Sequence, residues 1–346
     1  MNNAKALNVG LIGSGRIGRI HAENLATRIR GVRLVAVADI ALEAAQDLAK
    51  RYNIPVSTPD YRELFENASL HAVVICSATD THAQFIREAA QAGKHIFCEK
   101  PIDFDLSRID SALAEVERAG VKLQIGFNRR FDPSFRKVRE LVAAGRIGQP
   151  QLLRITSRDP EPPPIEYVKV SGGIFFDMTI HDFDMARYLM GSEVEEVFAV
   201  GGVMVDPRIG EVGDLDTALI TLRFANGALG AIDNSRKAVY GYDQRVEIFG
   251  SAGMAAAGNE TPDRHTLSNS EGVHSSRPLY FFLERYAESY LKEMQSFIEC
   301  IREDREPEVN GRDGRAPVPI GLAARMSYDE GRPVRLEEVE IRNGQG

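Results

Sequence analysis

Three side chains that can exchange protons lie close together between residues 171 and 189. Asp177, His181 and Asp184 are spaced i, i+4 and i+7, so a helix over this run would place them on one face. Most residues between them are apolar, which predicts a largely buried helix whose polar stripe lines a cavity. A carboxylate beside an imidazole in such a place is suited to proton transfer.

Two other interpretations use the same residues. His181 and Asp182 can simply form hydrogen bonds within the helix, as most buried polar groups do. An aspartate and a histidine at i and i+4 can also bind a divalent metal. The other histidines are His21, His71, His82, His95, His265 and His274, and the cysteines are Cys76, Cys98 and Cys300. Because these residues are scattered, we predict an acid–base site without a metal.

The composition is that of an ordinary globular chain. Its 346 residues, 43% hydrophobic and 27% charged, are enough for two domains with real cores. A net charge of −8 with no block of basic residues argues against nucleic acid as a partner and leaves small metabolites open. The three separated cysteines fit free thiols. With neither a secretory signal nor an apolar run of membrane-spanning length, we expect no membrane partner and a cytoplasmic protein.

A glycine-rich turn follows the first apolar run. Residues 6–13 are typical of a buried strand, and GSGRIG at 13–18 leads into a helical stretch to about Arg28. Gly13 would permit the tight turn, Gly15 the close approach of a pyrophosphate, and Gly18 the packing of helix on strand. This strand–turn–helix order predicts a dinucleotide site.

The second strand ends in an acid that bears on the choice of dinucleotide. Asp39 follows residues 32–38, 21 positions after Gly18. A carboxylate there accepts hydrogen bonds from ribose hydroxyls and repels a 2′-phosphate, which favours NAD over NADP. Arg16 and Arg19 lie near enough in sequence to leave some use of NADP open.

Alternation of helices and strands continues to about residue 126. Strands at 71–76, 94–98 and 121–126 predict a parallel, doubly wound α/β sheet, whose ligands bind beyond the carboxyl ends of the strands. Lys100, just after such a strand, could hydrogen-bond a substrate hydroxyl and favour its alkoxide. The predicted cofactor-binding residues are Gly13, Gly15, Arg16, Ile17, Gly18, Asp39, Ser77, Thr79, His82, Glu99 and Lys100.

A different pattern begins near residue 127. We predict a Rossmann dinucleotide-binding domain over 1–126 and a C-terminal α+β domain over 127–346 with an open, mostly antiparallel sheet. Its strands are expected at 151–157, 193–204, 214–225, 228–236 and 244–250, with an Asn226-Gly227 hairpin turn. The helix bearing Asp177 and His181 would cover one face of the sheet. Residues 255–278 are interpreted as a loop, 280–302 as a helix, and 317–330 as a last helix that packs back on the first domain.

These features together resemble the glucose-fructose oxidoreductase, inositol dehydrogenase and rhizopine-catabolism (Gfo/Idh/MocA) family of NAD(P)-dependent oxidoreductases. The shared motifs are GSGRIG, the triplet Glu99-Lys100-Pro101, and GGxxxDxxxHDxD at 172–184. The similarity extends from about residue 7 to residue 336. Within the family, the segments 157–187 and 234–245 are most similar to the inositol 2-dehydrogenase group.

The resemblance implies an enzyme that oxidises the axial hydroxyl of myo-inositol, a cyclic polyol, to give 2-keto-myo-inositol while reducing NAD. It implies a catalytic triad of Lys100, Asp177 and His181, all of which would also contact the substrate. His181 would remove the hydroxyl proton, Lys100 would stabilise the alkoxide, and Asp177 would orient the site. Further polyol contacts are expected from Arg130, Asp159, Tyr240 and Tyr242, although each could instead be structural.

Several alternatives stay open at the level of sequence. The substrate could be another inositol isomer or a cyclic aldose such as glucose or xylose. A redox-assisted glycosidase would retain its NAD, and a regulator of this fold would bind sugar and NAD without turnover. A regulator has no need of Lys100, Asp177 and His181 together, so we predict an enzyme. The family also suggests a homo-oligomer, a tetramer, built on the uncovered sheet face.

Overall fold

The computed structural model describes residues 6–343. Its strands are β1 (Leu7–Ile12), β2 (Val32–Ala38), β3 (Val56–Thr58), β4 (Ala72–Ile75), β5 (His95–Glu99), β6 (Leu123–Gly126), β7 (Pro150–Arg158), β8 (Val194–Gly202), β9 (Thr217–Phe224), β10 (Leu229–Ser235), β11 (Asp243–Gly250), β12 (Gly253–Ala257), β13 (Thr266–Asn269), β14 (Gly272–Ser275) and β15 (Val334–Arg335). Its α-helices are α1 (Arg16–Glu23), α2 (Leu42–Tyr52), α3 (Arg62–Glu66), α4 (Thr79–Gln91), α5 (Leu106–Ala119), α6 (Pro133–Ala143), α7 (Ile165–Val168), α8 (Ile174–Asp177), α9 (Thr179–Met190), α10 (Pro207–Glu211), α11 (Phe282–Arg285), α12 (Ala287–Glu303), α13 (Gly311–Arg315), α14 (Pro317–Glu330) and α15 (Leu336–Asn343). A π-helical turn, Asn24–Arg28, continues α1, and a 3₁₀ turn spans Asn128–Phe131.

The chain divides into two compact units. The first extends to Asn128 and includes Ser289–Ala316, and the second contains Arg129–Glu288 and the residues from Pro317 onward. In the first unit, six parallel strands are ordered β3-β2-β1-β4-β5-β6. Central strands such as β4 are wholly buried, as continuous apolar runs covered on both faces require. The predicted parallel α/β sheet with Rossmann topology is confirmed.

A late segment of the chain completes the first unit. Met294, Phe297 and Ile298 on α12 are buried in the same core as Val9 and Phe97. The boundary drawn near residue 126 from the sequence left this segment with the second domain. The spacing of apolar residues on α12 predicts an amphipathic helix but cannot indicate which core its apolar face joins.

The second unit is built on a seven-stranded sheet ordered β12-β11-β7-β10-β9-β8-β15. All neighbouring pairs are antiparallel except β7 and β10, which confirms the predicted open, mostly antiparallel sheet. The β9–β10 hairpin turns at Asn226-Gly227, where Gly227 has a φ of +84°. Along β9 buried and exposed residues alternate, because only one face of the sheet is covered. Helix α9 packs against β7 on that covered face.

Several local predictions need correction. Helix α14 packs against β8 and α9 of the second unit, and its expected packing on the first domain stays a prediction. The expected loop 255–278 contains the end of β12 and a β13–β14 hairpin, since its polar residues need no buried face to pair as strands. The helix expected at 280–302 is divided into α11 and α12. Among residues 6–343, no helix combines the length and the apolar character needed to cross a bilayer.

Candidate active site

The glycine turn of the first unit has room for a dinucleotide where the sequence predicts it. Gly13 has a φ of +98°, and a Cβ there would lie 2.5 Å from the carbonyl oxygen of Cys76. A Cβ on Gly18 would lie 2.0 Å from the carbonyl oxygen of Gly13, so α1 packs directly on the turn. A Cβ on Gly15 would meet nothing within 4 Å. The turn therefore presents open backbone at the N-terminus of α1, which suits a pyrophosphate. Arg16 is exposed beside it and Ile17 is half-buried.

Asp39 lies directly against this turn. One carboxylate oxygen accepts a hydrogen bond from the Ser14 N–H at 2.6 Å, and the other accepts from the Ala41 N–H at 2.9 Å. The side chain stays half-buried, so its charge lies at the edge of the pyrophosphate turn. A negative charge there disfavours an additional phosphate on the ribose.

His82 occupies a different environment from the one expected of a cofactor ligand. It is buried, with Nδ1 2.8 Å from the Pro101 carbonyl oxygen and Nε2 3.0 Å from that of Ser77. Burial lowers the pKa of His82. Both ring nitrogens thus face backbone, and the ring braces the loops after β4 and β5. The Ser77 hydroxyl is 2.6 Å from that of Thr81, and Thr79 begins α4.

Glu99 also faces inward. It is buried with its carboxylate 2.7 Å from Nε2 of His21, whereas the following residue, Lys100, is half-buried. The structure therefore separates the two neighbours: Glu99 belongs to the interior of the first unit, and Lys100 is the polar group at the carboxyl end of β5. That end of a parallel strand is where ligands bind in such sheets.

The predicted polar helix of the second unit is broken at Met178. Gly172 and Gly173 have φ values of +81° and +78°, the short helix α8 ends at Asp177, and α9 begins at Thr179. Asp177 and His181 therefore lie on consecutive helices and both are half-buried. The continuous stripe expected from the i, i+4, i+7 spacing does not form, because that spacing assumes a single helix.

Asp184, the third member of the expected stripe, is used elsewhere. The Arg130 guanidinium donates from Nε at 2.9 Å and from Nη2 at 2.6 Å to the Asp184 carboxylate, and both side chains are buried. Arg130 also lies over the Tyr188 ring, 5.2 Å from its centroid. The paired fork is a strong, geometrically specific contact. Asp184 therefore does not join the polar stripe expected from the spacing, and the polyol contact expected of Arg130 stays a prediction.

Two side chains hold Asp177. The Tyr167 hydroxyl donates to Oδ1 at 2.7 Å, and Nη1 of Arg236 donates to Oδ2 at 3.0 Å. Arg236 is only 1% exposed and also approaches Asp214, whose carboxylate accepts the Ile174 N–H at 2.9 Å. The start of α8 and its end are therefore fixed through one guanidinium. The sequence reasoning missed Arg236, although it lies just after β10, where the family-like segment 234–245 begins.

A buried polar network anchors α9 to the sheet. Asp182 accepts from Nη1 of Arg129 at 2.6 Å and from Nδ2 of Asn234 at 2.9 Å, and the Thr179 hydroxyl donates to Oδ1 of Asn234 at 2.6 Å. Burial raises the pKa of Asp182, opposed by the charge of Arg129. The sequence analysis missed Arg129, Asn234 and Thr179, and it considered Asp182 only for hydrogen bonds within its own helix. Their shared signal is polar character at positions where strands and an otherwise apolar helix should be buried.

Asp159 lies within electrostatic range of Arg236 and Asp177. Burial raises the pKa of its carboxyl to about 7, with Arg236 opposing and Asp177 adding to the shift. Its backbone N–H donates to the Ser235 carbonyl at 2.9 Å, and its carbonyl accepts from Ala238. The structure thus brings Asp159, Asp177 and Arg236 together. Asp159 is a half-buried acid, and Asp177 is the acid that Arg236 anchors.

The two predicted tyrosines have different environments. Tyr240 is 38% exposed, and its hydroxyl donates to Asp243 at 2.6 Å while accepting from Arg158 at 3.1 Å. Tyr242 is buried with its ring 6.0 Å from that of Tyr286, and burial raises its pKa well above the usual value. Tyr242 is therefore a core residue of the second unit, whereas Tyr240 keeps an accessible edge.

Comparisons with known proteins agree with this architecture. A model described as the oxidoreductase family with an NAD-binding Rossmann fold matches residues 7–127, and one described as the GFO/IDH/MocA C-terminal domain matches residues 135–256. The chain belongs to the GFO/IDH/MocA family of oxidoreductases. Its first unit is accordingly an NAD-binding Rossmann unit, as predicted, and its motifs are those of an enzyme family.

Individual members of the GFO/IDH/MocA family are similar over nearly their whole length. The myo-inositol 2-dehydrogenase of Thermotoga maritima is 51% identical, with 96% of this chain and 99% of that protein aligned. The inositol 2-dehydrogenase of Rhizobium meliloti is 47% identical over 94% of this chain and 98% of its own. A crystal structure of scyllo-inositol dehydrogenase from Lactobacillus casei, with bound NAD(H) and scyllo-inositol, has a TM-score of 0.90 at 32% identity, covering 96% of this chain and 100% of that one.

Proposed function

We propose that Asp177, anchored at the end of α8, and the half-buried His181 of α9 belong to a site for alcohol oxidation. We propose that this protein oxidises myo-inositol to 2-keto-myo-inositol with NAD as the oxidant. The proposal rests on the similarity of this chain, which has the complete site motif, to two inositol dehydrogenases that are 51% and 47% identical to it. When bound, NAD supplies a nicotinamide ring that accepts a hydride and becomes NADH.

The proposed roles follow from the environment of each side chain. Because Asp177 is held by Tyr167 and Arg236, it serves as a fixed acceptor that orients the substrate. His181 accepts the proton of the hydroxyl that is oxidised. Lys100 stabilises the alkoxide as the carbon–hydrogen bond breaks. The balanced products are the ketone, NADH and one proton. Asp159 and Tyr240 are proposed as further hydrogen-bond partners of the polyol.

NAD is proposed in preference to NADP. The support is the Asp39 carboxylate, which is fixed against the turn by the Ser14 N–H. Its charge would repel the 2′-phosphate of NADP, and the adjacent residues Ile40 and Ala41 offer no cation to bind it.

The test is NADH formation, followed by absorbance, with myo-, scyllo- and chiro-inositol, glucose and xylose, each offered with NAD and with NADP. We expect the highest catalytic efficiency for myo-inositol with NAD. A higher catalytic efficiency for scyllo-inositol would contradict myo-inositol as the substrate. It would instead favour scyllo-inositol dehydrogenase activity, which is the activity of the 32% identical neighbour. Substrate-dependent binding without NADH would indicate a regulator, and glycoside cleavage without net NADH a redox-assisted glycosidase. Equal efficiency with NADP would contradict the role given to Asp39.

The proposed setting is a cytoplasmic homo-oligomer, specifically a tetramer. Cys76, Cys98 and Cys300 are free thiols, which fits a reducing compartment. The uncovered sheet face of the second unit carries apolar residues that a second copy of the chain would bury; they are Leu152, Val200, Leu219, Leu229, Phe249 and Met254, each 42–58% exposed.

A further inference from the structure

A cluster of titratable side chains lies buried in the first unit and reaches the carboxyl end of β5. Nε2 of His21 is 2.7 Å from Oε1 of Glu99 and 3.9 Å from Oε1 of Glu293. His21 and Glu293 are 0% exposed, and Glu99 is 9% exposed. The three residues come from α1, from the last position of β5, and from α12. Such groups are rarely placed in a core unless they are paired.

The two acids of the cluster have different environments. Glu99 is in hydrogen-bonding distance of His21, whereas the Glu293 carboxyl oxygen is 3.9 Å from the ring nitrogen. Burial, reinforced by the charge of Glu99, raises the pKa of Glu293 well above its usual value. Other titratable groups that face the cluster are the hydroxyl of Tyr290 and the thiols of Cys76 and Cys98; burial raises the pKa values of both thiols. The ring edges of Phe97 and Tyr290 enclose His21 at 4.9 and 5.9 Å between centroids.

This arrangement joins the two parts of the first unit that face the dinucleotide and the substrate. His21 is on the helix that begins at the glycine turn, and Glu99 directly precedes Lys100. A Cβ on Gly126 would lie 3.0 Å from the Glu99 carboxyl carbon, so the Glu99 side chain has little freedom. From the third side, the Gln124 amide donates to the Glu293 carbonyl at 2.7 Å and fixes α12 to β6.

We propose that His21 and Glu99, backed by Glu293, are positioning residues that hold Lys100 at a fixed distance from the dinucleotide turn. The inference rests on the proposed function only in taking Lys100 as the group that stabilises the alkoxide. Loss of the His21–Glu99 hydrogen bond would let the end of β5 move relative to α1. A misplacement of about 1 Å at a reacting group can cost up to about 100-fold in rate.

The test compares Glu99→Gln, His21→Gln and the double variant. We expect each single change to lower kcat about 10- to 100-fold with KM for the polyol within about twofold. Two glutamines can hydrogen-bond to each other, so the double variant should recover at least about fivefold over either single one. The matched control is His95→Gln at the opposite end of β5, where the ring accepts only the Lys122 N–H; it should retain parent kcat.

A second readout does not depend on polyol turnover. The pH dependence of Lys100 labelling by an amine-reactive acetylating reagent, quantified by peptide mass spectrometry, reports the pKa of Lys100. In Glu99→Gln the labelling profile should change, because the end of β5 is no longer held against α1. If the parent enzyme oxidises no polyol but the labelling shift is found, the proposed function fails and the positioning role stands. If the variants lose only thermal stability and labelling is unchanged, the cluster is merely structural and the proposal is overturned.

Glu293→Gln tests the neutral acid. A raised pKa in the folded protein means that folding retains a proton lost by the unfolded chain, so parent stability should decline as the pH rises above the usual value of 4.5. The glutamine variant should show a smaller decline than the parent in a thermal melt series from pH 5 to 8, since the part due to Asp159 remains. An identical decline would show that Glu293 is ionised and would overturn the charge assignment.

One alternative occupant of the cluster is a metal ion, because ligand atoms of His21, Cys76 and Glu99 lie within 4.8 Å of one another. We expect less than about a tenth of an equivalent of bound metal in the purified protein by elemental analysis. About one equivalent of zinc that survives dialysis and is lost in Cys76→Ser would overturn the hydrogen-bonded arrangement.

Discussion

Asp177 accepts hydrogen bonds on both carboxylate oxygens. This bears on which side chain of the second unit is the base and which one orients the substrate. The Tyr167 hydroxyl and the Arg236 guanidinium each donate to one oxygen, so the carboxylate is fixed in place as an acceptor. His181, on the next turn of chain, can gain and lose a proton near neutral pH. We therefore propose the imidazole as the base and Asp177 as the group that fixes the geometry.

The role of His181 predicts a specific kinetic defect. His181→Ala should lower kcat about 10²- to 10⁴-fold while NADH affinity stays nearly unchanged, since the dinucleotide turn belongs to the first unit. Parent activity should rise with pH as the base loses its proton, and the variant should lose or shift that rise. The exposed His274→Ala is the matched control in the same unit. Near-parent turnover in His181→Ala would show that His181 is not the base, and Lys100 would be the next candidate.

Asp159 predicts a dependence of stability on pH. Its pKa of about 7 lies above the usual 3.8, so between these values the folded protein holds a proton that the unfolded chain has lost. Stability from this residue is present at low pH and declines as the pH rises to about 7. Asp159→Asn cannot ionise, so from pH 5 to pH 8 it should gain about 2 kcal/mol over the parent in urea unfolding. Asp329→Asn, an exposed acid of the same unit, should show no such trend.

At the scale of elements, the break between α8 and α9 separates Asp177 and His181 from Asp184. The two glycines let the chain enter α8 at positive φ, and Asp214 then receives the first N–H of that helix. Had the helix run without interruption from residue 174, Asp177 and His181 would share a face with Asp184. Instead the first two remain half-buried, and Asp184 neutralises Arg130 in the core.

This geometry makes Gly173 sensitive to a single methyl group. At a φ of +78°, a Cβ on Gly173 would lie 2.7 Å from Oδ1 of Asp214. Gly173→Ala should therefore lower the free energy of unfolding by about 1–3 kcal/mol and reduce kcat by displacing Asp177. Gly145 has a similar φ of +68°, but a Cβ there would meet no atom within 4 Å. Gly145→Ala therefore measures the cost of backbone strain without a steric clash. Equal effects of the two variants in urea unfolding and kcat would contradict the role of Asp214.

Local patterns predicted the elements more fully than the site. The glycine turn and the Asn226-Gly227 hairpin are specified by backbone conformation within a few residues, so sequence was sufficient. Arg236 and the Arg129–Asp182 pair depend on contacts across 53 or more residues, which no spacing rule encodes. Arg130 illustrates the limit, because its position after β6 was read correctly while its partner, Asp184, was assigned to the site.

At the scale of the whole molecule, the uncovered sheet face predicts assembly. Leu219 is 58% exposed at the middle of β9, and replacing it with aspartate would put a charge into the proposed contact. By light scattering, the parent should have a mass four times the 38.2 kDa of one chain, and Leu219→Asp should be smaller. Leu267→Asp, equally exposed at 52% but on the β13–β14 hairpin, should not change the mass. A parent that is monomeric at micromolar concentration would refute the assembly.

The discontinuous first unit has a consequence for biosynthesis. Its core takes Met294, Phe297 and Ile298 from α12, so the nascent chain displays the apolar surface around Val9 and Phe97 until those residues emerge. The stretch between Asn128 and Ser289 would take the ribosome roughly 10–30 s to translate at about 5–20 residues per second. During that interval the dinucleotide-binding half is a natural client for chaperones. A ribosome-bound chain stalled before α12 has emerged should be digested by protease in its first 128 residues, and one released after Ala316 should resist.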